Sequence, residues 1–552
     1  MQKKGLAKKG TPEFIITIAL FSAPLFITPW VSFDPINIPR LTLLGMLATW
    51  SLAYLLLAKK PNPIQREFKG LFLLVGGMAL SLIFSFFFSG ASLTMQFYGA
   101  QGRNAGLLTY MSLLLLLLIA TQVRSSLIKA PMNSALYVTS VINLGYGLVQ
   151  LLGLDPVKWQ NNYSSVVGTF GNPNFFAAFL AITSIFLISQ LIYSVKSNYK
   201  KSFFDCLLLA LSLYLQIETS SIQGVLMIFI GTFLLLFIKF RVQRFRKFSY
   251  LVLMSFLMFG IALFISFLGK GPFGNQFFQT TLRLRTFFWE AAVRMGLERP
   301  WTGFGIDSFG AWYRTYRTEE SVNQFAEGVI TDSAHSIFFD ILSGAGFVPL
   351  LFYILIQFFI LRKALILILN SDLIDRELSF LIAAWIAFLA QSTISVNSLG
   401  LSTIGFCLGG LVLSGSTSTE QVSFTHRLKS KRFMELIGAT SGLLIALPMF
   451  LSDARFRYVV SQPDGQKMIA FTNSWPVNDF QVLVIAKLFY SSGYLDLGRE
   501  KAYQALRINP RNVNALLTLL DDKELRKSER VLVINRLQSI DPISKSFAEL
   551  RA

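Results

Sequence analysis

Stretches of about twenty mostly apolar residues recur through the sequence almost from one end to the other. A helix needs about 20 such residues to cross roughly 30 Å of hydrocarbon, so each stretch is long enough for a membrane span. Lipid offers no partner to backbone N–H and C=O groups, which restricts spanning segments to helices or closed barrels. About thirteen such stretches lie near residues 14–30, 41–58, 71–89, 105–122, 132–153, 174–194, 203–220, 222–238, 250–268, 337–360, 378–395, 401–415 and 434–451.

The composition agrees with a chain that is solvated by lipid. Hydrophobic residues make up 53% of it and charged residues 14%, against roughly 25% charged residues in a soluble domain. The sequence therefore predicts an all-α, polytopic membrane helix bundle with spans 1–9 in residues 1–268 and spans 10–13 in residues 337–451. Between them lies a polar loop of residues 269–336, and a polar helical domain of residues 452–552 follows the last span.

The basic residues are distributed unevenly between the two sides of the predicted bundle. The short loops on the side of the N-terminus carry 25 Lys and Arg residues, and those on the other side carry only Arg40, Arg103 and Lys158. The positive-inside rule then places the N-terminus in the cytoplasm, so the loop 269–336 and the domain 452–552 are expected outside. The net charge of +20 is thus a topology signal, and we expect no nucleic-acid partner.

Few residues could hold a metal or a cofactor. Cys206 and Cys407 both fall in apolar stretches, where a thiol usually behaves as a small hydrophobic group, and there is no cluster of metal-ligand type. The sequence contains no P-loop and no glycine-rich dinucleotide fingerprint. We therefore expect neither a metal nor a cofactor, and any reaction must start from a donor that is already activated.

Polar residues at the outward ends of the spans are the ones that could carry chemistry. An ionisable group at a membrane costs free energy, and its presence there therefore suggests a function. His335 lies at the end of the outward loop, where its imidazole could accept a proton from an acceptor hydroxyl or orient it. Arg103, Arg283 and Arg285 are expected to face outward too, and a guanidinium suits the oxygens of a diphosphate. The alternatives are a structural histidine at the membrane interface and arginines that form ion pairs.

The C-terminal domain has a helical pattern of its own. From Asp479 to Asn512 the small residues, the turn at Gly493 and the closing Pro510 resemble one tetratricopeptide repeat of 34 residues, and Pro542 indicates a second, degenerate copy. A platform for a protein partner and an ordinary helical hairpin that caps the bundle are both consistent with this pattern.

Four ordered stretches between about residues 165 and 365 together resemble the O-antigen ligase and polymerase superfamily of bacterial membrane glycosyltransferases. They are Asn172-Pro173-Asn174 at the start of a middle span, Arg285 and Trp289 in an Arg-x-x-x-Trp helix, Pro300, Gly303, Gly305 and Phe309 in a Pro-x-x-Gly-x-Gly-x-x-x-Phe motif, and Ala334-His335-Ser336 followed by Gly346.

The resemblance implies transfer of a glycan from an undecaprenyl-diphosphate carrier to an acceptor hydroxyl at the outer face of the bacterial inner membrane. The reaction would invert the anomeric carbon and use no nucleotide sugar and no metal. His335 would position or deprotonate the acceptor, and Arg285 would stabilise the departing diphosphate. The expected substrate-binding residues are Arg103, Arg283, Asn172 and Asn174.

Two positions depart from the pattern of the superfamily. Ser336 stands where the superfamily usually has asparagine, and Gln223-Gly224 stands where it has the arginine and glycine of a Ser-Arg-Gly motif. The acceptor stays open between a glycolipid (ligase), a growing glycan (polymerase) and a protein (O-oligosaccharyltransferase). A flippase for lipid-linked glycans is the non-enzyme alternative. It would show internal repeats and charged residues near the midplane of several spans, and neither is evident.

Overall fold

The computed structural model describes residues 10–57, 68–159, 164, 166–194, 199–242, 246–267, 280–370, 374–396, 398–415 and 429–550. Over these ranges the chain forms helices and connecting turns and contains no β-strand. The expected all-α class is therefore confirmed for the described part of the chain. The basic N-terminal residues, the first part of the outward loop (269–279) and His426 lie outside the described residues.

The helices fall into three groups in chain order. The first is α1 (Thr11–Ser22), α2 (Asn37–Leu56), α3 (Lys69–Phe88), α4 (Leu93–Tyr98), α5 (Leu107–Ala120), α6 (Ser125–Leu151), α7 (Pro173–Ser194), α8 (Tyr199–Glu218), α9 (Ile222–Val242) and α10 (Arg246–Phe267). The outward loop contains α11 (Thr280–Glu298), α12 (Phe309–Tyr316) and α13 (Glu319–Phe325), and the short helix α14 (Ile337–Ala345) follows it directly. The rest are α15 (Phe347–Asn370), α16 (Arg376–Ser392), α17 (Leu399–Ser414), α18 (Lys429–Ser461), α19 (Gly465–Thr472), α20 (Asp479–Ser491), α21 (Leu495–Ile508), α22 (Val513–Leu520), α23 (Lys527–Ile540) and α24 (Lys545–Glu549).

Each of the thirteen apolar stretches overlaps a helix, although the first, 14–30, is helical only to Ser22 and the stretch 337–360 is divided between two helices. By length and composition, six helices in the described ranges are able to cross a membrane: α2, α3, α7, α9, α15 and α18. Shorter apolar helices or helix segments are α1, α5, α17 and residues 247–262 of α10. On α3 the side chains that point away from the protein are apolar, for example Leu73, Leu80 and Phe88, which are 66–71% exposed. Such a surface fits lipid contact rather than water.

The prediction of a single span over 337–360 was wrong in its boundaries. The stretch is divided at Gly346, which has a φ of +91°, into the short helix α14 and the long helix α15. A Cβ at residue 346 would lie 2.6 Å from the carbonyl oxygen of Pro300, and the N–H of Phe347 donates to the same oxygen at 2.6 Å. The chain can turn this close to Pro300 only at a glycine.

Small residues allow α2 and α18 to pack closely against each other. Gly438, Gly442 and Ala446 recur at intervals of four on α18, and they face Gly45 and Ala53 of α2. A Cβ at Gly438 would lie 2.5 Å from the Cβ of Ala53. Small residues at this spacing let two helix backbones approach closely, which is how helices associate in lipid.

The C-terminal domain is a series of helical hairpins. Gly493, with a φ of +83°, makes the turn between α20 and α21, and the next pair is α22 and α23. Asn478 begins α20 with a capping box, in which it and Gln481 exchange hydrogen bonds with each other's backbone. Hairpins in this order agree with the expected helical domain, and its assignment to tetratricopeptide repeats stays a prediction.

Candidate active site

The helices of the outward loop enclose an aromatic core of their own. Phe288, Ala291 and Met295 of α11 are buried together with Phe304 and Tyr313, and α11 also packs on α14. The buried face of α11 is the face that its helical periodicity predicts. This core holds α11 against the segment that carries His335.

His335 is fixed by the backbone that leads into α14. Its φ of +53° is unusual for a residue other than glycine, and its N–H donates to the Oγ of Ser333 at 2.9 Å. Ser333 in turn donates to Asp340 at 2.9 Å. The imidazole stacks on the ring of Phe288 with 5.5 Å between centroids. Burial, and then the positive charge of Arg285, lower the pKa of His335 to about 4, so the imidazole is neutral at pH 7.

Arg285 lies beside His335 and is held by neutral groups. Its guanidinium donates to the backbone carbonyl of Ile394. With the amide of Gln223 oriented so that both of its ends have partners, Arg285 also donates at 2.8 and 3.2 Å to the amide oxygen, and the amide nitrogen donates to Ser395 at 3.1 Å. Burial lowers the pKa of Arg285 to about 10, which leaves it charged. Among the described contacts of Arg285 there is no carboxylate, so no residue in the described ranges pairs with its positive charge.

Gln223 is a contact of Arg285 that the sequence did not reveal. It is buried at the start of α9, and it is the residue that stands where the superfamily has an arginine. The departure from Ser-Arg-Gly was therefore the only signal in the sequence. In the structure Gln223 contacts Arg285. The position that corresponds to the Ser-Arg-Gly motif and the arginine of the Arg-x-x-x-Trp motif are thus in direct contact.

Arg103 has a different environment, although it also lies at the outward end of the bundle. Its side chain is 5% exposed, and it donates to Asp307 at 2.9 Å and to Asp340 at 3.3 Å. The side-chain oxygens of Asp307 also accept the backbone N–H groups of Ala100 and Ala105. The donors of Arg103 thus bind carboxylates of the protein, which is the alternative considered from the sequence. Its role in substrate binding stays a prediction.

The structure does not bring the other three predicted residues to His335. Arg283 is 42% exposed and lies 4.0 Å from Glu320 on α13. Asn172 accepts the N–H of Asn174 at 2.9 Å at the beginning of α7. Asn174 accepts the hydroxyl of Ser221 at 2.8 Å, two residues before Gln223. The asparagines therefore shape the helix start and the turn that position Gln223, and contact with substrate stays a prediction for all three residues.

A cleft of about 580 Å³ opens over His335. One wall comes from the outward loop, including Asp332, and from residues 99–101. The other wall belongs to the C-terminal domain, with Phe480, Arg511 and Asn514. The C-terminal helices thus lie over the site next to the membrane bundle, an arrangement that the sequence pattern did not predict.

Residues 206–354 match the family model described as O-antigen ligase. The match runs from α8 into α15 and includes Gln223, Arg285 and His335, whereas Arg103, Asn172 and Asn174 lie before it. Comparisons with curated proteins and with solved structures gave no match. Over residues 206–354 the chain is therefore similar to the O-antigen ligase family, and its long apolar helices are those of a multi-pass membrane protein.

Proposed function

We propose that the protein transfers a glycan from an undecaprenyl-diphosphate carrier to an acceptor hydroxyl at the outer face of the bacterial inner membrane. The reaction inverts the anomeric carbon and needs no metal ion and no nucleotide sugar. The N-terminus lies in the cytoplasm, and the outward loop and the C-terminal domain lie outside. The observation that carries the proposal is the pairing of a neutral His335, which lines the cleft, with a charged Arg285 beside it.

Each of the two residues has one role in this reaction. The acceptor oxygen attacks the anomeric carbon, and its proton passes to the unprotonated nitrogen of His335. The bond between that carbon and the phosphate oxygen breaks, and the electron pair leaves with the diphosphate. Arg285 binds the diphosphate as this charge develops, and no carboxylate among its described contacts competes for the guanidinium.

Arg103 is a positioning residue in this proposal. Together with Asp307 and Asp340 it joins the segment before α5 to the middle of the outward loop and to α14. Asp340 also accepts the N–H of Ala334 at 2.8 Å and a hydrogen bond from Ser333. The ion pairs therefore stabilise the backbone on both sides of the residue that receives the proton.

The test uses the full-length protein in lipid vesicles with a fluorescent synthetic glycan on undecaprenyl diphosphate. The acceptors offered are a glycolipid, a second copy of the donor and a serine-containing peptide, so the product identifies ligase, polymerase or protein transferase. We expect His335→Ala to lower kcat by about 10²- to 10⁴-fold and Arg285→Ala by about 10²- to 10³-fold.

The matched control is Arg294→Ala, because Arg294 lies on the same helix and makes only an exposed ion pair with Glu290 among its described contacts. This variant should keep the wild-type rate. Full transfer activity in His335→Ala, or movement of the lipid-linked glycan across the vesicle membrane without a transferred product, would contradict the proposal.

A further inference from the structure

The C-terminal domain is attached to the outward loop by buried contacts. Asp541 accepts from Arg317 at 2.6 Å and from Arg314 at 3.0 Å, and the side chains of Asp541 and Arg317 are 0% and 1% exposed. Thr315 donates to the carbonyl of Ile540 at 2.7 Å. Arg511 lies over the ring of Trp312 at 3.8 Å from its centroid. The domain is thus part of the wall around His335 and not a loosely tethered tail.

The wall that this domain presents to the cleft is rich in neutral amides. The Asn514 side chain makes no hydrogen bond within the described residues and is exposed. Asn509 and Asn512 both donate to one oxygen of Asp479 at 2.8 Å, which fixes the orientation of that carboxylate. The ring of Phe480 is 39% exposed at the same wall.

These groups suit a ligand with many hydroxyls. A hydroxyl donates one hydrogen bond and accepts others, and an amide offers both a donor and an acceptor in return. An aromatic ring can cover the less polar face of a sugar ring. On the opposite wall, the carboxylate of Asp332 is 67% exposed and 3.8 Å from its arginine partner. Arg314 and Arg511 also line the cleft, but Arg314 pairs with Asp541 and Arg511 lies against Trp312. The exposed carboxylate of Asp332 disfavours an anion beside it, so we assign the diphosphate to the side of Arg285.

We propose that the cleft between the outward loop and the C-terminal domain is the acceptor subsite, and that it binds an uncharged sugar unit of the acceptor. This inference rests on the proposed function and adds the class of acceptor and the part of the chain that selects it. The C-terminal domain supplies Asn514 and Phe480 to the sugar, and the outward loop supplies His335 to the attacking hydroxyl.

The kinetic test compares Asn514→Ala and Asn514→Trp with Val531→Ala, an exposed residue of the same domain that does not line the cleft. With the glycolipid acceptor we expect the acceptor KM to rise about threefold to tenfold for Asn514→Ala and more than tenfold for Asn514→Trp. The donor KM and the kcat at saturating acceptor should change less than twofold, and Val531→Ala should match the wild type. An unchanged acceptor KM in Asn514→Trp overturns the inference.

A second measurement does not depend on turnover. In a Cys206→Ser background, Asn514→Cys is labelled with a water-soluble maleimide in the presence and absence of the glycolipid acceptor. We expect the acceptor to slow labelling at least fivefold, and undecaprenyl diphosphate without a glycan to have no effect. Absence of transfer by the wild type would refute the proposed function alone. Equal labelling rates with and without the acceptor would refute the acceptor subsite, as would protection only by the serine-containing peptide.

Discussion

The substitution Asp541→Asn tests whether one buried carboxylate holds the C-terminal domain over the active site. Asp541 is the only carboxylate that accepts a hydrogen bond from Arg317 among the described residues, and the other described side-chain hydrogen bond of Arg317 goes to the carbonyl of Glu327 at 2.7 Å. With an asparagine in place of Asp541, the buried guanidinium of Arg317 loses its ion-pair partner and keeps only the longer-range attraction of the Glu327 carboxylate. Leaving one charge of a buried pair without its partner costs about 3–5 kcal/mol.

This free-energy cost destabilises only the state in which the C-terminal domain is docked on the outward loop. Arg317 becomes hydrated when the domain and the loop separate. Every 1.4 kcal/mol is a factor of ten in an equilibrium constant. The undocked fraction should therefore increase between roughly one hundredfold and several thousandfold. On the side of the outward loop, helix α12 makes the contacts with the C-terminal domain. Its backbone amides should therefore exchange hydrogen with solvent faster, in proportion to the undocked fraction. The limit is the rate at which the helix itself opens.

Hydrogen exchange with mass spectrometry on the protein in lipid nanodiscs measures this effect in peptides that cover Phe309–Tyr316. The control is Asp496→Asn, since Asp496 is 92% exposed in its pair with Arg499 and an exposed pair is worth about 0–1 kcal/mol. Exchange in α20 and α21 should stay at the wild-type rate in both variants, which shows that the domain remains folded. If α12 exchanges at rates within threefold in Asp541→Asn and Asp496→Asn, the buried pair does not hold the domain.

Three further predictions concern His335, Gln223 and Gly303. The transfer rate should be constant from about pH 5 to 8 and fall below about pH 4, because His335 must be neutral and its pKa is lowered to about 4; a fall centred near pH 6.5 in a pH–rate profile would contradict this. Since the unfolded chain binds the proton more strongly, the contribution of His335 to the free energy of unfolding is complete above pH 6.5 and is lost as the pH falls towards 4. Gln223→Ala should lower kcat about tenfold with an unchanged acceptor KM, and Gln223→Glu should lower it further because a carboxylate would neutralise Arg285; equal rates in both variants and the wild type would exclude a positioning role. Gly303→Ala should destabilise the protein by at least about 1–2 kcal/mol, because Gly303 has a φ of +59° and a Cβ there would meet the backbone of Gly344; Gly328→Ala, where a Cβ meets no atom within 4 Å, is the control in a thermal unfolding assay.

The sequence was sufficient for the helices of the bundle, because in lipid an apolar stretch of this length has few alternatives to a helix. Hydropathy could not locate the break at Gly346. That break depends on the approach of Pro300, which is close to Gly346 only in the folded chain.

The pairing of Arg285 with His335 was predictable only from the ordered motifs, since fifty residues separate them. An ion pair with an outward carboxylate such as Asp307 was one alternative for the arginines, but the sequence could not assign a partner to each of them. Arg103 meets Asp307 and Asp340, which lie more than 200 residues further along the chain. Arg285 meets Gln223 through the packing of α9, which no local pattern specifies. From the sequence, Arg103 and Arg285 are both expected to face outward as single arginines. Only the tertiary contacts show that Arg103 pairs with carboxylates, whereas no carboxylate is among the described contacts of Arg285.

The ion pairs of Arg103 hold the backbone around His335 without a contribution from the C-terminal domain. The group formed by Arg103, Asp307 and Asp340 lies beneath His335 and includes no residue of the C-terminal domain. Undocking of that domain in Asp541→Asn should therefore leave His335 and Arg285 in place and remove only the far wall of the cleft. A variant of this kind should raise the acceptor KM while its kcat at saturating acceptor stays near the wild-type value. A loss of kcat with an unchanged acceptor KM would mean that the C-terminal domain positions the reacting groups and not the acceptor.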